Sequence, residues 1–140
     1  MEQRDYLKVQ IEQLGRVLGR IVAEFLGTKP RGDVTQAIEV TNESLKSELD
    51  LDIDELIGLS TADMKAYLAQ RNLREEHLTP LAEYITALAE HKMPTNQARA
   101  VALYRSVLQL YEIIDTTTGL YSLDRFAKEE SIKAILQEHS

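Results

Sequence analysis

Leu7, Ile11, Leu14, Leu18, Ile21 and Phe25 follow one another in alternating steps of four and three residues. That period lays them along one face of an α-helix and along no face of a β-strand, whose side chains alternate every two residues. A seam of this length commits the first stretch of the chain, about residues 4–26, to a helix that must bury one side. Val17 and Val22 widen the seam into a stripe, and Gly27 followed by Pro30 stands in the order expected at a helix C-terminus.

The rest of the chain repeats the same grammar. Residues 33–49 read as a second helix, with Val34, Ala37, Ile38, Thr41, Leu45 and Leu49 inward. The connection before it is short, so the first two helices are expected to pack as an antiparallel hairpin. Asp52 is placed to cap a short helix. Ser60-Thr61-Ala62-Asp63 has the form of a capping box, with Asp where Glu or Gln is usual, and opens a helix reaching about Gln70. Residues 75–91 form a further helix with Leu78, Leu81, Ala82, Ile85, Leu88 and Ala89 inward. Pro80 in its midst predicts a kink or a two-part helix, or else a helix beginning at Pro80 with Thr79 as its cap. Residues 96–115 are apolar nearly all round, the pattern of a central, buried helix. Thr116-Thr117-Thr118-Gly119 is expected to end it, and a last helix over about residues 123–138 presents Phe126, Ile132, Ile135 and Leu136.

An all-β fold needs many turn breakers, and three Pro and six Gly in 140 residues are too few. The expectation is therefore a single all-α domain over residues 1–140, a compact bundle of six or seven helices packed as antiparallel hairpins.

Composition narrows the chemistry. The chain has no Cys, which removes disulfides, thiolate catalysis and Cys-ligated zinc. A net charge of −7 disfavours nucleic acid and anionic membranes as partners. No apolar run approaches the ~20 residues needed to span a bilayer, and the charged N-terminus does not have the form of a signal peptide. A cytoplasmic location is the expected default.

Two segments echo each other. Ala37-Ile38-Glu39-Val40-Thr41-Asn42-Glu43-Ser44-Leu45 and Ala100-Val101-Ala102-Leu103-Tyr104-Arg105-Ser106-Val107-Leu108 both run from a small residue to a bulky one and on to a Leu eight positions later. This resembles the second helix of tetratricopeptide hairpins, although the copies start at Ala37 and Ala100, further apart than the ~34-residue repeat. The chain is also similar to an uncharacterised family of all-helical bacterial proteins, through Asp5-Tyr6-Leu7, Ile11-Glu12-Gln13-Leu14, residues 49–60 and residues 100–115. The resemblance implies a helical fold and no activity at any particular residue.

Candidate sites meet ordinary structural explanations. Asp50-Leu51-Asp52-Ile53-Asp54 alternates like a calcium loop, but Glu55 and Thr61 stand where that loop requires Gly and Glu, so a capped helix start is expected. His77, His91 and His139 are too far apart for a helical metal pair and are expected at the solvated surface. Gly15-x-x-x-Gly19 beside the seam permits a close helix crossing. Arg16, Arg20, Lys29 and Arg31 form a basic cluster, with Glu12 and Glu24 spaced to pair with the first two. Tyr84, Tyr104, Tyr111 and Tyr121 are either anchors for a bound partner or amphipathic residues at the core edge, and the first three are the candidates for a partner-binding surface. The seam Leu7, Ile11, Leu14 and Leu18 is a candidate for self-association.

No catalytic, cofactor-binding or metal-ligating residue is expected. The leading expectation is a non-enzymatic helical module that binds a protein partner or a second copy of itself. The alternative is a small-molecule or metal-binding bundle enzyme in which Glu24, Glu39, Glu43, Glu83 and Glu112 converge.

Overall fold

The computed structural model describes residues 2–28 and 33–139, and the side chains of 8–27 and 33–139. Among these residues there are seven helices and no strand: α1 (Glu2–Thr28), α2 (Val34–Leu49), α3 (Ile53–Leu56), α4 (Thr61–Gln70), α5 (Glu75–Lys92), α6 (Gln97–Thr118) and α7 (Leu123–Glu138). α1 packs on α2 and on α5, α5 pairs most extensively with α6, and α6 carries α4 and α7. Most of the buried apolar residues form one contiguous cluster to which every helix contributes, from Leu18 on α1 to Ile132 on α7. The all-α bundle expected from the periodicity is the fold observed.

Local chemistry accounts for most helix starts. Asp33 accepts from the amides of Thr35 and Gln36, and Asp52 does the same for Asp54 and Glu55. Ser60, Asn96 and Ser122 each accept one amide three residues on. Each side chain satisfies donors that a helix N-terminus otherwise leaves open. The acidic alternation at residues 50–54 is thus a helix junction. Asp50 is the left-handed cap of α2, Asp52 caps α3, and Asp54 pairs with Arg99.

Three boundaries differ from the sequence expectation. α1 continues through Gly27, while Pro30, the expected stop, lies outside the described residues. α5 runs unbroken through Pro80, so Thr79 is no cap. Pro80 lies one turn into the helix, where it costs only the amide that would have reached the Glu76 carbonyl. α6 extends through the threonines, where Thr116 and Thr118 satisfy their hydroxyls on the carbonyls of Glu112 and Ile114, at 2.9 Å each, and so sit within the helix. It stops at Gly119, whose φ of 66° is left-handed.

The contact of α1 with α5 turns on one residue that the sequence reading misplaced. His77 is buried, not solvated. The Arg74 amide donates to its Nδ1 at 2.8 Å, and its Nε2 lies 3.1 Å from the Ile11 carbonyl oxygen. An accepting Nδ1 puts the ring proton on Nε2, which donates to that carbonyl. The ring therefore closes the N-terminus of α5 and ties it to α1. Gly15 makes the approach feasible, since a Cβ there would sit 3.1 Å from the ring. Gly19 has nothing within 4 Å of its own hypothetical Cβ, so only one of the two glycines marks a close crossing.

Candidate functional site

The pairing of α5 with α6 and of α6 with α7 leaves a trough between α5 and α7, with α6 as its floor. Its volume is about 510 Å3. Tyr104 and Tyr111, seven residues apart on α6, form the floor, and both are buried. Glu83, Thr86, Ala87 and Glu90 line one wall on α5. Asp124, Ala127, Lys128, Ser131, Ile132 and Ile135 line the other on α7, and Leu26 adds to the lining from α1. Small side chains on both walls keep the trough open above an apolar floor.

The charges are unequal. Three carboxylates line the walls against one ammonium, and Lys128 is paired with Asp124 at 3.1 Å. That hydrogen bond holds the Lys128 ammonium above its usual range. Burial raises the Tyr111 phenol, with Lys128 opposing and nearby acids adding to the rise. Burial also raises Tyr104, and Glu90 adds to it. Both floor hydroxyls thus remain protonated well into the alkaline range.

Of the tyrosines singled out in the sequence, Tyr104 and Tyr111 come together in this trough, while Tyr84 and the exposed Tyr121 do not line it. Tyr84 is fully buried in the core, edge-on to Phe25 with ring centroids 5.0 Å apart. Its hydroxyl donates to Asn42 Oδ1 at 2.6 Å, and burial pushes its phenol far up. It is a core residue that joins α5 to α1 and α2. The α1 seam is also turned inward: Ile11 and Leu18 are buried, Leu14 is half-buried, and the side chain of Leu7 lies outside the described residues. Packing against α2 and α5 uses the face that was a candidate for pairing two chains.

The basic cluster resolves into ion pairs. Arg16 meets Glu12, and Arg20 meets both Glu24 on its own helix and Glu48 on α2, the latter at 2.9 Å. Lys29 and Arg31 lie outside the described residues. Glu24, Glu39, Glu43, Glu83 and Glu112 do not gather: among the described residues no three His, Asp or Glu side chains meet in a way that would hold a metal ion. No described helix is long and apolar enough to cross a membrane.

Two surface features use residues that the sequence named singly, Tyr121 as a candidate anchor and Phe126, Ile132 and Ile135 as apolar residues of the last helix, without bringing them together. One is the α7 wall, whose signal was the recurrence of small or apolar residues at 127, 131, 132 and 135. The other is the α6–α7 connection, where Leu120, Tyr121, Leu123 and Phe126 are all exposed. Arg125 holds this connection in shape by donating to Asp115 at 2.7 Å and to the Leu120 carbonyl at 2.9 Å. Tyr121 rests against Phe126, with centroids 6.1 Å apart. Glu129, beside Asp115, has its carboxyl raised by burial and by that neighbouring acid.

Comparison of the chain with protein-family models, with curated proteins and with solved structures gives no match.

Proposed function

We propose that this chain is a non-enzymatic helical interaction module, with tetratricopeptide-like hairpins, that receives a partner protein in the α5–α6–α7 trough. The observation that carries the reading is the pair Tyr104 and Tyr111 on the floor of an open trough. Buried aromatic anchors set in a concave apolar surface, with polar residues at the rim, are the usual makings of a binding hot spot. Ala127 provides the test, because it is exposed on the α7 wall and outside the core. Ala127→Trp fills the trough from its wall. In affinity capture from the native cell, the wild-type chain is expected to retain a partner that the variant loses, with unchanged far-UV circular dichroism. Identical capture by both proteins refutes the trough as the binding place.

A second reading, self-association, is favoured by the exposed apolar residues at the α6–α7 connection. It moves the pairing surface from the α1 seam to Leu120, Tyr121, Leu123 and Phe126. Sedimentation equilibrium is expected to show a dimer that Leu123→Asp converts to monomer. A wild-type monomer at high concentration removes this reading.

A further inference from the structure

We infer that the trough takes a single amphipathic α-helix of a partner protein, apolar on the face it buries and basic on its flanks. The inference rests on the interaction-module reading and names the occupant. The α7 wall is built from residues 124, 127, 128, 131, 132 and 135, and the α5 wall from 83, 86, 87 and 90. Both sets follow helical steps of three and four, so each wall is one stripe of a helix and the trough runs along the helices. Its α7 side, from Asp124 to Ile135, is about 16 Å long at the rise of an α-helix, or about three turns. The vacant position between two helices that share a floor helix has the shape of another helix. A strand finds no sheet edge to extend here, since the described residues contain no strand.

Ala87 and Ala127 leave room for a backbone to approach closely, and Tyr104 and Tyr111 sit seven residues apart, the spacing of two turns. Apolar side chains at i, i+3 or i+4, and i+7 of the incoming helix would rest on that floor. Charge decides its flanks. Among the lining residues the carboxylates of Glu83, Glu90 and Asp124 outnumber the single cation, Lys128, within a chain of net charge −7. Lys or Arg beside the apolar stripe is attracted to these walls, and Glu or Asp there is repelled.

The test uses three synthetic helical peptides of equal length, each about five turns. The first has a Leu stripe flanked by Lys, the second the same stripe flanked by Glu, and the third the first composition scrambled to destroy the stripe. Binding to the full chain is read by fluorescence anisotropy at low and high salt. The Lys-flanked peptide is expected to bind about tenfold more tightly than the Glu-flanked one, an advantage that shrinks with salt. Glu83→Lys is expected to weaken the Lys-flanked peptide several-fold, and Ala127→Trp to abolish binding of both. Equal or better binding of the Glu-flanked or scrambled peptide overturns the inference. Failure of every peptide also overturns it, and if Ala127→Trp still loses its captured partner, the trough reading survives. If Ala127→Trp changes neither peptide binding nor capture, both fall together.

Discussion

Replacing Gly15 with alanine places a methyl group 3.1 Å from both Cδ2 and Nε2 of His77. The same replacement at Gly19, one helical turn on, meets nothing within 4 Å. The two variants gain the same helix propensity, about 1 kcal/mol for Gly to Ala in a helix interior. They differ in what the new methyl touches. The His77 ring has no free rotation with which to yield, because Nδ1 holds the Arg74 amide at 2.8 Å and Nε2 holds the Ile11 carbonyl at 3.1 Å. Withdrawing the ring by a few tenths of an ångström stretches these bonds, each worth about 1 kcal/mol net, and disturbs a side chain that is buried at the α1–α5 contact. Gly19→Ala is therefore expected to stabilise the protein by about 1 kcal/mol, whereas Gly15→Ala is expected to be neutral or to destabilise it by up to about 1 kcal/mol. His77→Ala completes the cycle. Alone it costs about 2–3 kcal/mol through the cavity and the open Arg74 amide, but in its presence Gly15→Ala recovers its favourable sign. Urea denaturation followed at 222 nm measures all four proteins and the wild type. Equal effects of Gly15→Ala and Gly19→Ala, or no coupling between positions 15 and 77, would refute the account of this helix crossing.

Three further outcomes can be checked. Burial raises the phenols of Tyr67, Tyr84, Tyr104 and Tyr111, so above pH ~10 the unfolded chain loses protons that the folded chain retains, and stability falls as pH rises. That stabilising contribution is complete below pH ~10, and Tyr84→Phe is expected to reduce the alkaline loss, at a cost near neutrality of about 1 kcal/mol from the Asn42 bond. A wild-type stability that stays level to pH ~11 contradicts this. Arg125→Ala removes the bonds to Asp115 and the Leu120 carbonyl and is expected to speed amide hydrogen exchange in the α6–α7 connection and the first turn of α7, leaving α1 and α5 unchanged. Asp52→Ala deprives α3 of its cap and is expected to cost about 1 kcal/mol in the same urea assay, while Asp54→Ala, an exposed acid of the same acidic run, costs less.

The helices were legible in the sequence because their causes are local. The seam of α1, the caps Asp52 and Ser60, and the start of α6 at Asn96 all depend on residues within about four positions, the reach of a helical turn. The errors at Pro80 and at the end of α6 were also local, since each turned on how a single turn accommodates a missing amide or a threonine hydroxyl. Tyr104 and Tyr111 were readable as candidates by residue type, but the wall that α7 sets beside them was not. Its residues show no apolar face strong enough to announce a site; small side chains form a groove only when another helix stands opposite.

Sequence periodicity by itself determined that this chain makes helices and which stripe of each is apolar. It did not determine which neighbour covers that stripe. His77 lies 66 residues from the carbonyl it binds, and Tyr84 lies 42 from the Asn42 amide oxygen. Burial of both therefore waited on the docking of α5 against α1 and α2. The same docking used the α1 seam internally, and with α7 in place it left the trough over Tyr104 and Tyr111. A side chain's environment is the sum of what distant segments bring to it, so the surface available for recognition was decided only when the helices packed.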